Sequence, residues 1–303
     1  MAVHRGKIAV AGAGPTRFVA PYIADAPADE AHATVGDWLL IDEETSQISR
    51  ILRRESLFNR RTPGSDRKVQ LIAANADTVF IVASCNQDFN LARIERYLVL
   101  ARDVGVVPVV VLTKADLTDA ADDFAMSLRR LQSDIAVETV DAREPASVAR
   151  LATWCGTGKT VVLMGSSGVG KSTLINTLTG TAGITTQAVR EGDGKGRHTT
   201  TVREMHRLEH GGWLMDTPGM RELHLSQAID GLAEVFDDIV ELASACRFSN
   251  CSHESEPDCA VRTALASGDL DRVRLDRWRK LTSENAPPVG QARQKRRTPG
   301  PHD

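Results

Sequence analysis

The clearest chemistry in this 303-residue chain lies in Gly165-Ser166-Ser167-Gly168-Val169-Gly170-Lys171-Ser172-Thr173. The stretch fits G-x-x-x-x-G-K-[ST], in which glycines let main-chain N–H groups wrap closely around phosphate. Lys171 would reach the outer phosphates, and the Ser172 hydroxyl would hold Mg²⁺. Trp213-Leu214-Met215-Asp216-Thr217-Pro218-Gly219 supplies the second half. Its apolar strand ends in Asp216, a carboxylate placed to bind Mg²⁺, and Gly219 can offer an unobstructed N–H to a terminal phosphate. Between the two, Glu191 to Thr201 alternates glycines with other residues and ends in Thr199, Thr200 and Thr201. Such hydroxyls on a mobile segment can close on metal and phosphate as a first switch.

Thr113-Lys114-Ala115-Asp116 follows the apolar run Val106–Leu112. A carboxylate at Asp116 can accept two hydrogen bonds from the N1–H and N2–H₂ edge of guanine, which adenine does not offer. The Lys114 stem can lie along the base. The tetrapeptide resembles the N-K-x-D motif of GTPases, with Thr113 keeping one side-chain hydrogen bond where asparagine makes a pair. Val140-Asp141-Ala142 stands where such proteins often carry Ser-Ala. The order is unusual, because the base-reading element precedes the phosphate loop. A circular permutation accounts for it, since domain ends lie close together and a short connector can join them. Arg143–Lys159 would be that connector.

A second cluster is Cys246-x₄-Cys251-x-His253-x₅-Cys259. Three thiolates and an imidazole within fourteen residues suit a closed, tetrahedral, structural Zn²⁺ site, although the spacing is not the common finger spacing. Five cysteines, an odd number, argue against a disulfide framework. Cys85 and Cys155 fall in apolar elements and read as packing residues.

These groups need a scaffold. Thr78–Ala83, Val106–Leu112, Ile135–Val140 and Thr160–Met164 read as buried strands. They alternate with helical patterns at Leu91–Val104, Asp122–Gln132 and Pro145–Trp154, and with a helix from about Lys171. That alternation predicts a parallel sheet covered on both faces. Residues 1–68 read as short strands (Lys7–Ala11, Asp37–Ile41, Ser46–Leu52) between turn formers, with Ala24–Ala33 as loop, which suggests a small β-barrel. After Leu223 only helices around the cysteine cluster are expected, with a disordered tail from about Glu284. The predicted architecture is multidomain α/β: an OB-like barrel (1–68), a permuted P-loop domain (69–225) and a helical zinc-binding domain with a basic tail (226–303).

Composition is that of a soluble globular protein, with 42% hydrophobic and 25% charged residues. No apolar run approaches the ~20 residues needed to span a bilayer, and Ile8–Gly14 lacks the flanks of a signal peptide. A cytosolic location without membrane attachment is expected. Net charge is −3, but seven basic residues against two acidic fall between Arg50 and Lys68, and nine against four between Asp271 and Asp303. Either stretch can be a solvated face or can meet phosphate backbones.

Taken in order, T-K-A-D, G-S-S-G-V-G-K-S-T, G-R-H-T-T-T, D-T-P-G and C-x₄-C-x-H-x₅-C resemble the ribosome small-subunit-dependent GTPase A family of bacteria. Gln70–Asp77 looks like that family's entry to its GTPase domain, and Val35-Gly36-Asp37 like part of its barrel. The resemblance implies GTP/GDP and Mg²⁺ at Thr113–Asp116 and Gly165–Thr173, and one structural Zn²⁺ at Cys246, Cys251, His253 and Cys259. It further implies a monomer that binds the 30S subunit through 16S rRNA during late maturation, with the basic stretches as contacts, and whose release follows subunit-stimulated hydrolysis. A glutamine orienting the attacking water often follows D-x-x-G; here Met220 stands there and cannot do so, which implies slow intrinsic turnover. His198, in G-R-H-T-T-T, is the candidate replacement beside Lys171 and Asp216. The rival readings are a P-loop ATPase or small-molecule kinase, which Asp116 opposes, and an RNA-binding zinc protein with a vestigial nucleotide site, which intact Lys171, Ser172 and Asp216 oppose.

Overall fold

The computed structural model describes residues 2–4, 6–12, 16–23, 32–61, 69–181, 203–216 and 228–285. The chain divides into two compact units, Met1–His224 and Leu225–Asp303.

The first unit begins β-rich, as its short apolar runs between turn formers demand. β1 (Ala2–His4), β2 (Lys7–Val10) and β3 (Arg17–Val19) form an antiparallel meander. β4 (Leu39–Ile41) and β5 (Ile48–Ile51) form a hairpin, and β6 (Leu57–Arg61) pairs with β7 (Val69–Ala74). Asp42 shapes the β4–β5 turn by accepting the N–H groups of Thr45 (2.7 Å) and Glu44 (3.1 Å). Ile8, Val19, Ala33 and Ile48 form a small core inside these pairs. Val35-Gly36-Asp37 ties them to β7. Gly36 has φ +89°, and a side chain there would run into the Ala74 carbonyl. Ala74 N–H donates to Val35 O (2.9 Å), and Asp37 holds Arg54 through two bonds of 2.8 and 2.9 Å.

The α/β part then runs β8 (Thr78–Ser84), α1 (Leu91–Asp103), β9 (Val107–Thr113), α2 (Ala121–Leu131) and β10 (Ala136–Thr139). It continues through α3 (Pro145–Val148), a 3₁₀ helix (Ala149–Trp154), β11 (Thr160–Met164), α4 (Lys171–Thr179), β12 (Arg203–Arg207) and β13 (Trp213–Asp216). Every residue of β8 is buried, as a central strand covered on both faces requires. Pro108 is tolerated near the start of β9 because the ladder with β10 begins one residue later, at Val109. Asn90 caps α1 by accepting the Arg93 N–H at 3.0 Å.

The strand order is β10-β9-β8-β11-β13-β12-β1-β2-β3. β10 through β13 pair in parallel, whereas β13–β12 and β12–β1 are antiparallel. β9, which ends in Thr113, therefore precedes β11, which leads into Gly165–Gly170, in sequence but lies two places from it in the sheet. α3 and the 3₁₀ helix connect β10 to β11, where the connector was expected. Phe80, Val109, Val111, Leu151, Val161, Leu174 and Leu214 fill the core beneath.

The second unit contains α5 (Ile229–Val235), α6 (Asp237–Ser244), α7 (Ala260–Ser267) and α8 (Arg272–Asn285), packed on Val235, Phe236, Ile239, Val261 and Leu275. Arg274 joins α8 to α6 through two bonds to Asp238 of 2.6 and 2.7 Å, with its guanidinium 4.9 Å over the Phe236 ring. No helix among the described residues is long and apolar enough to cross a membrane.

Candidate nucleotide site and metal centre

Parallel strands deliver their carboxyl ends to one edge of the sheet, and the loops beyond that edge carry the candidate site. Gly165–Gly170 turns from β11 into α4. Gly165 (φ +151°) and Gly170 (φ +97°) adopt backbone that disfavours side chains; a Cβ at Gly165 would strike the Val82 carbonyl. Ser167 and Gly168 form the exposed crown of the loop, and Val169 is buried beneath it. Lys171 Nζ donates to the carbonyls of Gly165 (2.8 Å) and Ser166, so its ammonium folds over the loop mouth. Ser172 and Thr173 open α4, where first-turn N–H groups and the helix dipole favour an anion.

Asp216 ends β13, two strands along from β8 and adjacent to the phosphate-loop strand. Burial raises its carboxyl above the ordinary value; His206 and Lys171 pull it down, and Glu204, its cross-strand neighbour, pushes it up. A divalent cation held jointly with Ser172 would offset that desolvation, so the residues fit Mg²⁺.

Thr113 ends β9 fully buried. Its hydroxyl lies 2.5 Å from Val169 O and 3.2 Å from Ala83 O. The one hydrogen bond a threonine can donate thus fastens the end of β9 to the Gly165–Gly170 loop. Lys114 follows in left-handed backbone (φ 58°), and Ala115 and Asp116 begin a 3₁₀ turn. Ala142 is buried, and its carbonyl accepts from Thr177 Oγ1 of α4 at 2.7 Å. One sheet edge therefore gathers Thr113–Asp116, Gly165–Thr173 and Asp216. His198, Thr199, Thr200 and Gly219 lie outside the described residues, as does Met220.

Two features left no sequence signal at the motif itself. Ser166 Oγ donates to Asp88 Oδ2 (2.7 Å) and accepts from Arg93 Nη1 (2.8 Å), tethering the loop to the start of α1. Desolvation raises the Asp88 carboxyl, but the bonds from Ser166 and Arg93 outweigh it and leave it below the usual range. Arg143 pairs with Asp116 across 27 positions, the second contact that spacing could not reveal.

In the second unit, ligand atoms of Cys246, Cys251, His253 and Cys259 all lie within 4.8 Å of one another. Cys246 Sγ and Cys259 Sγ are 3.8 Å apart, and each is 3.5 Å from His253 Nδ1. A tetrahedron with Zn–S of about 2.3 Å and Zn–N of about 2.0 Å has S···S edges near 3.8 Å and S···N edges near 3.5 Å. The donor set therefore fits tetrahedral Zn²⁺. Burial lowers the His253 imidazole, favouring the neutral form that ligates. Desolvation raises the Cys246 thiol, but the N–H groups of Val261 and Ala260 outweigh it and hold it below the usual value. His253 stacks obliquely on Trp278 (5.9 Å), and Arg279 Nη2 donates to its carbonyl (2.9 Å). Cys85 and Cys155 are buried packing residues; burial pushes Cys155 up to about 12, so its thiol stays protonated.

A sheet in which the strand leading to T-K-A-D comes ahead of the strand leading to G-S-S-G-V-G-K-S-T, in a chain that goes on to a Cys₃His cluster, is that of a circularly permuted P-loop GTPase. The family model described as RsgA GTPase matches residues 51–226, and the chain belongs to that family. It is 51% identical over 254 residues to the small ribosomal subunit biogenesis GTPase RsgA of Mesorhizobium japonicum, covering 83% of this chain and 73% of that one. It is 50% identical over 253 residues to the RsgA 2 protein of Vibrio vulnificus, covering 84% and 72%. Among solved structures, YjeQ of Thermotoga maritima superposes with a TM-score of 0.66 at 24% identity, covering 93% of this chain and 95% of that one. YloQ, described as a circularly permuted GTPase, superposes at 0.62 and 22%, covering 93% and 92%. At those identities the likeness shows the fold.

Proposed function

We propose that this GTPase acts in late maturation of the small ribosomal subunit, binding it through 16S rRNA in the GTP state and leaving after hydrolysis. The observation that carries this reading is the assembly of Thr113–Asp116, Gly165–Thr173 and Asp216 on one sheet edge of a chain half identical to relatives named for small-subunit biogenesis. The cytosol is the compartment this work requires, and a monomer is the state proposed.

Asp116 and Lys114 would select guanine, and the N–H groups of Gly165–Gly170 with Lys171 would hold and neutralise the phosphates. Ser172 and Asp216 would hold Mg²⁺, which when bound supplies charge neutralisation between the outer phosphates. Lys171 already folds across the loop mouth, so its cation need move little to follow charge developing on the leaving side. Thr199, Thr200 and Gly219 would close over the terminal phosphate. Because Met220 cannot orient water, His198 is proposed to do so once the subunit orders its segment. Cys246, Cys251, His253 and Cys259 would bind one structural Zn²⁺, and the basic stretches Arg50–Lys68 and Asp271–Arg297 would meet rRNA phosphates.

Co-sedimentation with purified small subunits tests the reading. With a non-hydrolysable GTP analogue the protein should pellet with the subunits, and with GDP it should stay in the supernatant. Raising salt should release it. Equal pelleting in both nucleotide states, or none in either, would overturn the cycle. ATP competing with GDP as well as GTP does would return the P-loop ATPase reading.

A further inference from the structure

Asp116 is already engaged. Arg143 Nη2 donates to Asp116 Oδ2 at 2.6 Å, and the same guanidinium reaches Asp141 through Nε (3.1 Å) and Nη2 (3.1 Å). Asp141 is itself fixed: it accepts the Arg143 N–H at 2.9 Å, and its own N–H donates to Ser147 Oγ at 3.0 Å. The turn after β10 thus delivers a cation to the carboxylate that follows β9. The Asp116 side chain is 24% exposed and that of Arg143 66%, so the carboxylate is partly shielded while the guanidinium lies largely in solvent.

We propose that Arg143 gates base recognition by competing with guanine for Asp116. The Arg143 Nη2–H and the N–H edge of guanine seek the same carboxylate, and Nη2 already sits on Oδ2, one of the two oxygens that guanine's N1–H and N2–H₂ would take. Asp116 cannot offer Oδ2 to both along the same approach. Entry of guanine therefore requires Arg143 to let go of Asp116 while keeping Asp141, which compensates its charge, and loosening of the base lets Arg143 recapture Asp116. The gate lowers guanine affinity and speeds nucleotide release. Adenine does not use Asp116, so its binding escapes the gate. The inference rests on the guanine reading of Thr113–Asp116.

The test is a double-mutant cycle on fluorescent GDP and ADP analogues, measuring affinity and dissociation rate for the full chain, R143A, R143Q, D116A and D116A/R143A. An exposed ion pair of this kind is worth about a twofold to fivefold change in an equilibrium. R143A and R143Q should therefore bind GDP about two to five times more tightly and release it correspondingly more slowly. The gain should shrink at high salt, be absent for ADP, and vanish in the D116A background. Weaker or unchanged GDP binding in R143A, or an equal gain without Asp116, would overturn the gate. A wild-type chain that does not prefer GDP to ADP would instead overturn the guanine reading, a separate failure. Unfolding curves of the variants exclude a folding defect, since Arg143 is exposed.

Discussion

Thr113 shows how one atom can join two functions. Its hydroxyl holds the phosphate loop at Val169 O while its strand leads directly to Asp116, the residue proposed to read the base. Replacing it with valine keeps the shape and leaves the Val169 carbonyl short of its donor, at a cost of about 1–3 kcal/mol. T113V should lower the melting temperature by about 2–4 °C per kcal/mol and weaken GTP and GDP alike, as calorimetry would read. Unchanged stability would mean that the bond contributes nothing. Asp216 carries a pH dependence. Burial raises its folded-state pKa, so the carboxylate is disfavoured by folding; without Mg²⁺, the associated stability is present in acid and lost as pH rises through the raised value. Mg²⁺ needs the ionised form, so Mg²⁺-dependent nucleotide affinity should fall as pH drops through that same value. D216N should abolish that dependence together with Mg²⁺ binding. His198→Ala should bind nucleotide and subunit normally while losing subunit-stimulated turnover; full turnover would remove His198 from the mechanism.

At the level of elements, the Cys₃His cluster joins the end of α6 to the start of α7 through a turn with two left-handed residues, His253 and Asp258. Holding non-glycine residues there costs energy that four metal bonds would repay. C259S should reduce the zinc content from one ion per chain to none, measured by mass spectrometry of metals, and should lower helical circular dichroism. Retained zinc would mean that the four residues are not the ligand set. The elements most legible from sequence were those with strong local signals: the uniformly apolar β8, β9 and β11, the 3.6-residue pattern of α1, and the glycines around Lys171. β12 was missed because Arg203-Glu204-Met205-His206-Arg207 is half-buried throughout and carries almost no apolar run. β6 was hidden in the same way, inside a stretch read for its charge. Thr113 is legible in the sequence, but its partner is not, since the bond to Val169 spans 56 positions. Arg143 directly follows Val140-Asp141-Ala142 in sequence, and only the fold brings it to Asp116.

Across the whole molecule, the permuted order has a mechanical consequence. β12 follows the candidate first switch in sequence, and its outer edge pairs with β1, Ala2 opposite Glu204 and Val3 opposite Arg203. The β-rich N-terminal strands therefore extend the nucleotide-binding sheet to nine strands. A pairing across some two hundred positions leaves no local mark in the sequence. One hydrogen-bonded sheet runs from β10 and β9, beside the candidate nucleotide site, to the N-terminal meander, whereas the β4–β5 and β6–β7 pairs, over which Arg50–Arg61 falls, are separate two-stranded sheets.

The most direct test of a subunit-driven GTPase is hydrolysis of GTP with and without purified small ribosomal subunits, at low and moderate salt. The expected result is a slow basal rate that rises by orders of magnitude with small subunits and not with large ones, the rise diminishing with salt. A rate indifferent to subunits would contradict the account, leaving a nucleotide site with no ribosomal role.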